Sequence, residues 1–227
     1  MQQKNLTKRL VMFDVDGTLM NGHTQTVFFR LLKQQGIMTW DVLFRVTVWF
    51  IAYKLYLADD PTDIYRQAYA TLANQKLSDI ERLIKKDFYK FQAKLFPEAY
   101  QFLRDHRQRG DKTVALSAST EPVIQPICRE LGIDDYVATK LQLLDGETFT
   151  GRVVGDAMYG QQKVHACKDY LRRSTCAYTQ TMFYADHISD LELLERVDIP
   201  ICVNPDLRLR RIAKARQWKI LRWGKKG

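Results

Sequence analysis

No two of the four cysteines stand close enough to form a Cys-x-x-Cys pair; Cys128, Cys167, Cys176 and Cys202 are scattered along 227 residues. That spacing gives neither a zinc site nor a disulfide framework, so a reducing, cytoplasmic compartment is expected. The chain reaches its first strand within about ten residues, so no signal peptide is expected. No apolar run is long and uncharged enough to span a bilayer: the most apolar stretch, Trp40 to Leu57, is interrupted by Arg45 and Lys54. Repeats and low-complexity segments are missing too. No nucleic-acid motif accompanies the basic residues, and no specific nucleic-acid partner is expected.

Acidic residues are also in short supply, 26 against 35 lysines and arginines, for a formal charge of +9. A surplus of that sign favours anionic substrates or surfaces. Much of it lies in Arg208, Arg210, Arg211, Lys214, Arg216, Lys219, Arg222, Lys225 and Lys226, where a solvated helix face and a tail account for it. The stretch from Trp40 to Leu57 crowds Trp49, Phe50, Ile51, Tyr53 and Tyr56 together. It reads either as a buried helix or as a helix lying on an anionic membrane with its aromatics at the interface. Peripheral membrane contact is therefore one expectation for this chain. An apolar share of 46% and a charged share of 27% belong to an ordinary globular protein, long enough for one core or for a core with a small insert.

What the chain does have is the run from Arg9 to Leu19, an apolar strand that ends in Asp14, Asp16, Gly17 and Thr18. Alternation along a strand brings Asp14 and Asp16 out on one side, and the glycine allows a sharp turn just beyond them. Two carboxylates that close repel unless a cation lies between them or one holds a proton. The pair points to a divalent metal, to a nucleophile with an acid/base partner, or to both. Asp-x-Asp-Gly also opens calcium loops, but those lie in irregular turns closed by a Glu, and here an apolar strand leads in. A strand-to-turn capping pair is the blander alternative.

Residues 21 to 95 carry helical periodicity: Thr24–Gln35, Asp41–Leu57, Thr62–Asn74 and Ser78–Leu95 read as helices, with Pro61 near one start and Ser78 as an N-cap. From Pro97 the texture changes to helices alternating with short apolar strands. Glu98–Arg109, Glu121–Leu131, Gln161–Arg172, Ser189–Val197 and Leu207–Arg216 read as helices. Thr113–Ser117, Thr181–Ala185, Ile199–Val203 and Lys219–Arg222 read as strands, and Tyr136–Leu144 with Phe149–Val154 flank an Asp145-Gly146 hairpin turn. The alternation implies a mostly parallel sheet covered on both faces, with ligands at the carboxyl ends of its strands. Those ends deliver Asp14 and Asp16, then Ser117, Ala118 and Ser119, then Asp186 with Asp190 one turn on; the helix from Gln161 offers Lys163.

In this order the four elements resemble the motifs of the haloacid dehalogenase superfamily of phosphotransferases. Asp14-Val-Asp16-Gly-Thr-Leu is similar to the first motif, Ser117-Ala-Ser to the second, Lys163 to the third, and Tyr184-Ala-Asp186-His-Ile-Ser-Asp190 to the fourth. The helical stretch after the first motif and the hairpin before Lys163 resemble the phosphoserine-phosphatase-like subgroup. The resemblance implies a Rossmann-like three-layer α/β/α core, residues 1–20 and 96–227, with an inserted all-helical cap at 21–95. It implies a Mg2+-dependent phosphatase acting on a small phosphorylated substrate. Asp14 would be the nucleophile that forms an aspartyl-phosphate, and Asp16 the acid and base. Asp14, Asp16 through its backbone carbonyl, Asp186 and Asp190 would serve the metal. Ser117, Ala118 and Lys163 would hold the phosphate, with Lys163 also offsetting charge. Read singly, Ser117 could just cap a helix, and Lys163 and Asp190 could be solvated helix residues.

One departure bears on the substrate. Phosphoserine phosphatases carry a Glu shortly after the first motif, but Met20 to Gln25 contains no acidic residue. That counts against phosphoserine itself and leaves a related phosphomonoester, or a lipid phosphate at a membrane surface, as expectations; a degenerate phosphate-binding module is disfavoured by the retained motif residues. His23 and His187 are loop histidines that could meet near the entrance, and neither is given a catalytic role.

Overall fold

The computed structural model describes residues 9–54, 57–58 and 62–224. The expectations for Tyr56, Pro61, Lys225 and Lys226, and for the far end of the Trp40–Leu57 helix, therefore lie wholly or partly outside the described residues. Strand β1 (Arg9–Phe13) is followed by five helices, α1 (Thr24–Gln34), α2 (Trp40–Lys54), α3 (Thr62–Ala70), α4 (Leu77–Lys86) and α5 (Tyr89–Gln92). Next come α6 (Pro97–Gln108), β2 (Lys112–Thr120), α7 (Glu121–Leu131), β3 (Asp135–Leu144), β4 (Thr148–Val154), α8 (Gln161–Arg173) and β5 (Gln180–Ala185). The chain ends with a 3-10 turn (Ile188–Asp190), α9 (Leu191–Leu194), β6 (Ile199–Val203), α10 (Leu207–Ala215) and β7 (Lys219–Leu221).

The strands form one seven-stranded sheet in the order β4-β3-β2-β1-β5-β6-β7, parallel except for the β3–β4 hairpin. Every residue of β1 after Arg9 is buried because helices cover both faces. Val11 and Phe13 enter one apolar cluster with residues of α6, α7 and the inserted helices. Leu10 and Met12 enter a second cluster with residues of α8, α9 and α10. This is the mostly parallel, two-faced sheet that the alternating pattern implies, in the three-layer α/β/α core with a helical insert that the resemblance implies.

The insert leaves and re-enters the core side by side: Asn21 N–H donates to Lys94 O at 2.7 Å, and Phe96 N–H to Leu19 O at 3.0 Å. It is also joined to the hairpin. Asn74 N–H donates to Phe149 O (2.9 Å), Phe149 N–H to Gln75 O (2.9 Å), and Leu77 N–H to Glu147 O (2.8 Å). The hairpin turn has positive φ at both Asp145 and Gly146, the twist that matches antiparallel strands.

Several expected boundaries move for tertiary reasons. The Thr62–Asn74 helix stops at Ala70 because Asn74 and Gln75 pair with β4 instead. The Ser78–Leu95 helix breaks at Asp87, and the kink lets Phe91 bury completely. Ser78 is not the N-cap of α4: Lys76 holds that position, without a side-chain cap. Ser189–Val197 is not one helix, since the His187 side chain accepts the Ser189 N–H and tightens the first turn to 3-10.

A buried polar cluster ties the two strands that carry Asp14 and Asp186. Arg9, the first residue of β1, makes two hydrogen bonds to Asp111 at 2.9 and 3.0 Å. Asp111 also holds His106 Nδ1 at 2.8 Å, and His106 Nε2 meets the Tyr184 hydroxyl of β5 at 2.8 Å. The Tyr184 ring stacks on Phe13, centroids 4.6 Å apart. Burial lowers the His106 pKa below 6.5, despite the pull of Asp111 towards the charged form. The unfolded chain therefore takes up that proton more readily than the fold does, and the neutral ring favours the fold most above pH 6.5. His106→Gln is expected to cost about 1–3 kcal/mol at pH 8. In urea unfolding the gap between variant and wild type should narrow as the pH falls below 6.5; a pH-independent gap would contradict this account.

Candidate active site

β1 hands over to the site through one further ladder bond, from Asp14 N–H to Tyr184 O at 2.9 Å. The chain then turns back on itself, with Leu19 N–H donating to Val15 O. Gly17 makes the turn possible at φ +83, and a Cβ there would lie 2.0 Å from an oxygen of Asp186. Only glycine leaves room for the Asp186 carboxylate against this backbone.

Asp14 is buried. Its Oδ1 accepts from Lys163 Nζ at 2.7 Å, and its Oδ2 from the Thr18 hydroxyl at 3.3 Å. The same hydroxyl lies 3.3 Å from Asp186 Oδ1, so a single proton serves two carboxylates. Lys163 is buried at the start of α8, and both Asp190 oxygens lie 2.9 Å from its Nζ. Lys163 and Asp190 are thus interior partners, not solvated helix residues. Burial alone would lower the lysine pKa, but Asp14 and Asp190 together raise it above the ordinary value and keep it charged.

Asp16 faces the N-terminus of α1, accepting from Thr24 N–H at 2.6 Å and from the Thr24 hydroxyl at 3.0 Å. It fills the role that the N-cap residue His23 does not, since the His23 side chain makes no cap hydrogen bond. With its amide turned to satisfy its neighbours, Gln25 donates to Asp16 Oδ2 at 2.8 Å and accepts from Ser119 N–H. Burial, and then the charge of Asp14, push the Asp16 pKa up to about 7. Burial and Asp14 likewise raise Asp186 well above the carboxylate range. Asp190 rises to about 6 through burial, with Lys163 opposing.

The end of β2 departs from regular pairing. Ser117 pairs with Ala138 and Thr120 with Thr139, so Ala118 and Ser119 bulge out of the ladder. The bulge turns Ala118 into the wall of the cavity that Asp14 borders. Ser117 is fully buried, and its hydroxyl accepts the Ser119 N–H at 3.1 Å. It is not the cap of α7, a position taken by Thr120.

Asp14, Asp16, Ala118, Lys163, Asp186 and Asp190 all line one cavity of about 70 Å³. Its far wall comes from the insert: Trp49, Phe50 and Tyr53 of α2 and Tyr65 of α3, with His23 beside them. Tyr53 closes the wall. Its hydroxyl lies 2.8 Å from His187 Nδ1 and 3.2 Å from the Tyr159 hydroxyl. Because Ser189 N–H points at the same His187 nitrogen (3.2 Å) and can only donate, Nδ1 is the acceptor and Tyr53 donates to it. Burial lowers the His187 pKa, consistent with this neutral ring. Beyond the three side chains opens an outer cavity of about 670 Å³ that holds Arg66 and Arg208. His187 and His23 share the inner cavity, the first bonded to Tyr53 and the second against Phe50 at 5.2 Å.

The sequence motifs did not disclose Thr18, Thr24, Tyr53 or Tyr159. Thr18 stands inside the first motif, so its position was a usable signal. For Tyr53 there was none, since only the packing of α2 brings it to His187. Four carboxylates facing one ammonium form an all-oxygen, strongly anionic donor set. Oxygen donors of that kind suit a hard divalent cation such as Mg2+, although no three of these side chains among the described residues are arranged around a common ion position, and Asp16 and Asp190 are engaged by Thr24 and Lys163.

Known proteins resemble this chain along most of its length. A family model described as haloacid dehalogenase-like hydrolase matches residues 11–195. The chain is 26% identical over 220 residues to a histidinol-phosphatase of Neisseria meningitidis, covering 94% of this chain and 98% of that protein. It is 26% identical over 212 residues to a phosphoserine phosphatase of Mycobacterium tuberculosis, covering 92% of this chain and 68% of the relative. A solved structure of a protein of unknown function from Bordetella pertussis superposes with a TM-score of 0.85 at 26% identity, covering 95% and 98% of the two chains.

Crowded like charges make a stability prediction. Burial and the neighbouring carboxylates make Asp186 costly to keep in the fold, charged or protonated, so in EDTA near neutral pH Asp186→Asn should be more stable than the wild type by about 1–2 kcal/mol, with a higher unfolding midpoint. Added Mg2+ should raise the wild-type midpoint and leave the variant nearly unchanged. Calorimetry with and without the metal checks both, and a variant less stable than wild type in EDTA would contradict the repulsion argument.

Proposed function

This chain belongs to the haloacid dehalogenase-like hydrolases and is a phosphatase of that family; from that premise we propose a Mg2+-dependent phosphomonoesterase that works through an aspartyl-phosphate on Asp14. The observation that carries the reading is the convergence of Asp14, Asp16, Lys163, Asp186 and Asp190 on one small cavity. Asp14 attacks phosphorus in line, and the ester P–O bond breaks as Asp16 passes its proton to the leaving oxygen. A water then attacks the phosphorus of the acyl phosphate while the Asp16 carboxylate takes up its proton, which releases phosphate and restores Asp14. Burial and the Asp14 charge raise the Asp16 pKa, which favours the proton it donates in the first step.

Thr24 and Gln25 hold Asp16 in register with α1, and Lys163 offsets the charge that gathers as the phosphoryl group approaches Asp14. The Ala118 bulge would contact the phosphoryl oxygens, and Ser117, buried behind it and outside the cavity lining, would hold the bulge through its bond to Ser119 N–H. Asp14, the Asp16 carbonyl and Asp186 would hold Mg2+, with Asp190 fixing the surrounding shell. When bound, the ion supplies positive charge that lets phosphate and carboxylates share the cavity.

The leaving-group side favours a particular kind of substrate. The wall facing the carboxylates is made of His23, Trp49, Phe50, Tyr53 and Tyr65, and no acidic residue follows the first motif between Met20 and Gln25. An ammonium next to the phosphate, as in phosphoserine, would meet no carboxylate beyond the catalytic ones. A small phosphomonoester with an apolar or aromatic group close to the phosphate fits better. The histidinol-phosphatase and the phosphoserine phosphatase among the relatives support the small-phosphomonoester class.

Two substitutions test the mechanism. Asp14→Asn should abolish phosphate release from an aryl phosphate, and activity surviving it would exclude the aspartyl-phosphate. In single-turnover measurements Asp16→Asn should slow phosphorylation of Asp14 roughly 10²–10⁴-fold by alkyl phosphates but much less by activated aryl phosphates, whose leaving groups need little protonation, while breakdown of the aspartyl-phosphate slows for both. Equal losses of phosphorylation on both would remove Asp16 from the acid role. A screen of small phosphomonoesters with and without an ammonium beside the phosphate tests the specificity argument.

A further inference from the structure

We propose that the outward face of α2 seats the protein on an anionic lipid surface. Trp40, Phe44, Val48 and Ile51 are 73%, 69%, 47% and 56% exposed. Spaced by four, four and three residues, they fall on one stripe of the helix. The opposite face of the same helix carries Val46, which is buried, and Trp49 and Tyr53, which line the catalytic cavity. α2 is thus apolar on both sides, and only one side is covered by the fold. Exposed apolar residues standing singly are normal, but a contiguous stripe of two aromatics and two branched aliphatics on one helix marks a contact surface.

The charge around the stripe selects the occupant. Lys33 holds its ammonium 4.6 Å over the Trp40 ring. Arg30 lines a groove of about 320 Å³ together with Leu43, Val46, Phe50 and Ile51. Arg45 stands on α2 itself, and Asp41 is the one acidic residue between Thr24 and Lys54. Arg45 and Asp41 pair with each other, so Lys33 and Arg30 set the sign of the rim. A basic rim around Trp, Phe and Ile is the arrangement of a helix lying in a membrane interface, its apolar side among the acyl chains and its cations at anionic headgroups. A second copy of the chain would bring the same basic rim against itself, since a two-fold contact pairs like with like. The +9 charge of the whole chain adds long-range attraction of the same sign. At 15 residues the helix is about 22 Å long, and no helix among the described residues is long and apolar enough to cross a membrane. It would therefore lie along the surface, with the catalytic cavity directly behind it. This inference rests on α2 alone and is independent of which phosphomonoester is cleaved.

Flotation of the full chain with vesicles tests it, without turnover. Vesicles of phosphatidylcholine containing phosphatidylglycerol should carry the wild type at low salt and release most of it at high salt, and pure phosphatidylcholine vesicles should carry little. The double variant Phe44→Ser/Ile51→Ser should lose about tenfold or more in vesicle affinity, with hydrolysis of a soluble aryl phosphate unchanged. Should the double variant fold poorly, Arg30→Gln/Lys33→Gln leaves the apolar stripe intact and should weaken binding to anionic vesicles alone. Wild-type protein that does not float, or variants that float as well as it does, would overturn the proposal. So would a wild-type dimer in light scattering that Phe44→Ser dissociates while anionic vesicles remain unbound.

Discussion

The structure is organised around a charge imbalance. Asp14, Asp16, Asp186 and Asp190 border one cavity in which Lys163 supplies the only ammonium among the described residues. Two unit charges about 4 Å apart interact by about 4 kcal/mol at an effective dielectric constant of ~20, a large fraction of the roughly 5–15 kcal/mol that keeps a domain folded. Lys163 compensates Asp14 and Asp190, the two carboxylates it touches. Asp16 and Asp186 are left with hydroxyls, an amide and each other. Their raised pKa values are the measure of that shortfall. A cavity of this kind holds its charge only because the surrounding fold fixes it, and it attracts whatever supplies positive charge or takes up negative charge in transit.

The fold supplies that rigidity from both sides of the sheet. Asp14 leaves the central strand, which is buried on both faces, and its neighbour β5 carries Asp186. The Arg9–Asp111–His106–Tyr184 cluster ties β1 to β5, so the two carboxylates keep their spacing. From the other side the inserted helices close the cavity with aromatic rings. Backbone bonds to the β3–β4 hairpin hold them there, as does the contact of Tyr53 with His187 and Tyr159. The acidic floor belongs to the sheet and the aromatic wall to the insert, and the substrate must satisfy both. Under the proposed function, that division leaves the chemistry to the sheet and the choice of leaving group to α2 and α3.

The legible parts of this protein were those in which a residue's role follows from its position on its own element. Apolar strands with carboxylates at their ends gave the sheet, its parallel character and the candidate carboxylates. The positive-φ pair Asp145-Gly146 gave the hairpin. Less legible were positions that depend on a distant partner. Asn74 and Gln75 read as helix until β4 offers them a ladder. Phe91 breaks a helical run because a buried site is available to it. Ser117, which could have been a helix cap, turns its hydroxyl to Ser119 because β2 continues through a bulge.

The sequence by itself determined which chemical groups the strand ends carry and in what order, because alternation and strand termination are local properties of the chain. It also determined the basic surplus and the largely apolar make-up of α2. Only the tertiary structure decided which charges share a cavity, that Lys163 and Asp190 are interior partners, and which face of α2 the fold leaves uncovered. Those outcomes depend on distances between residues more than a hundred positions apart, as with Tyr53 and His187, and packing alone sets them.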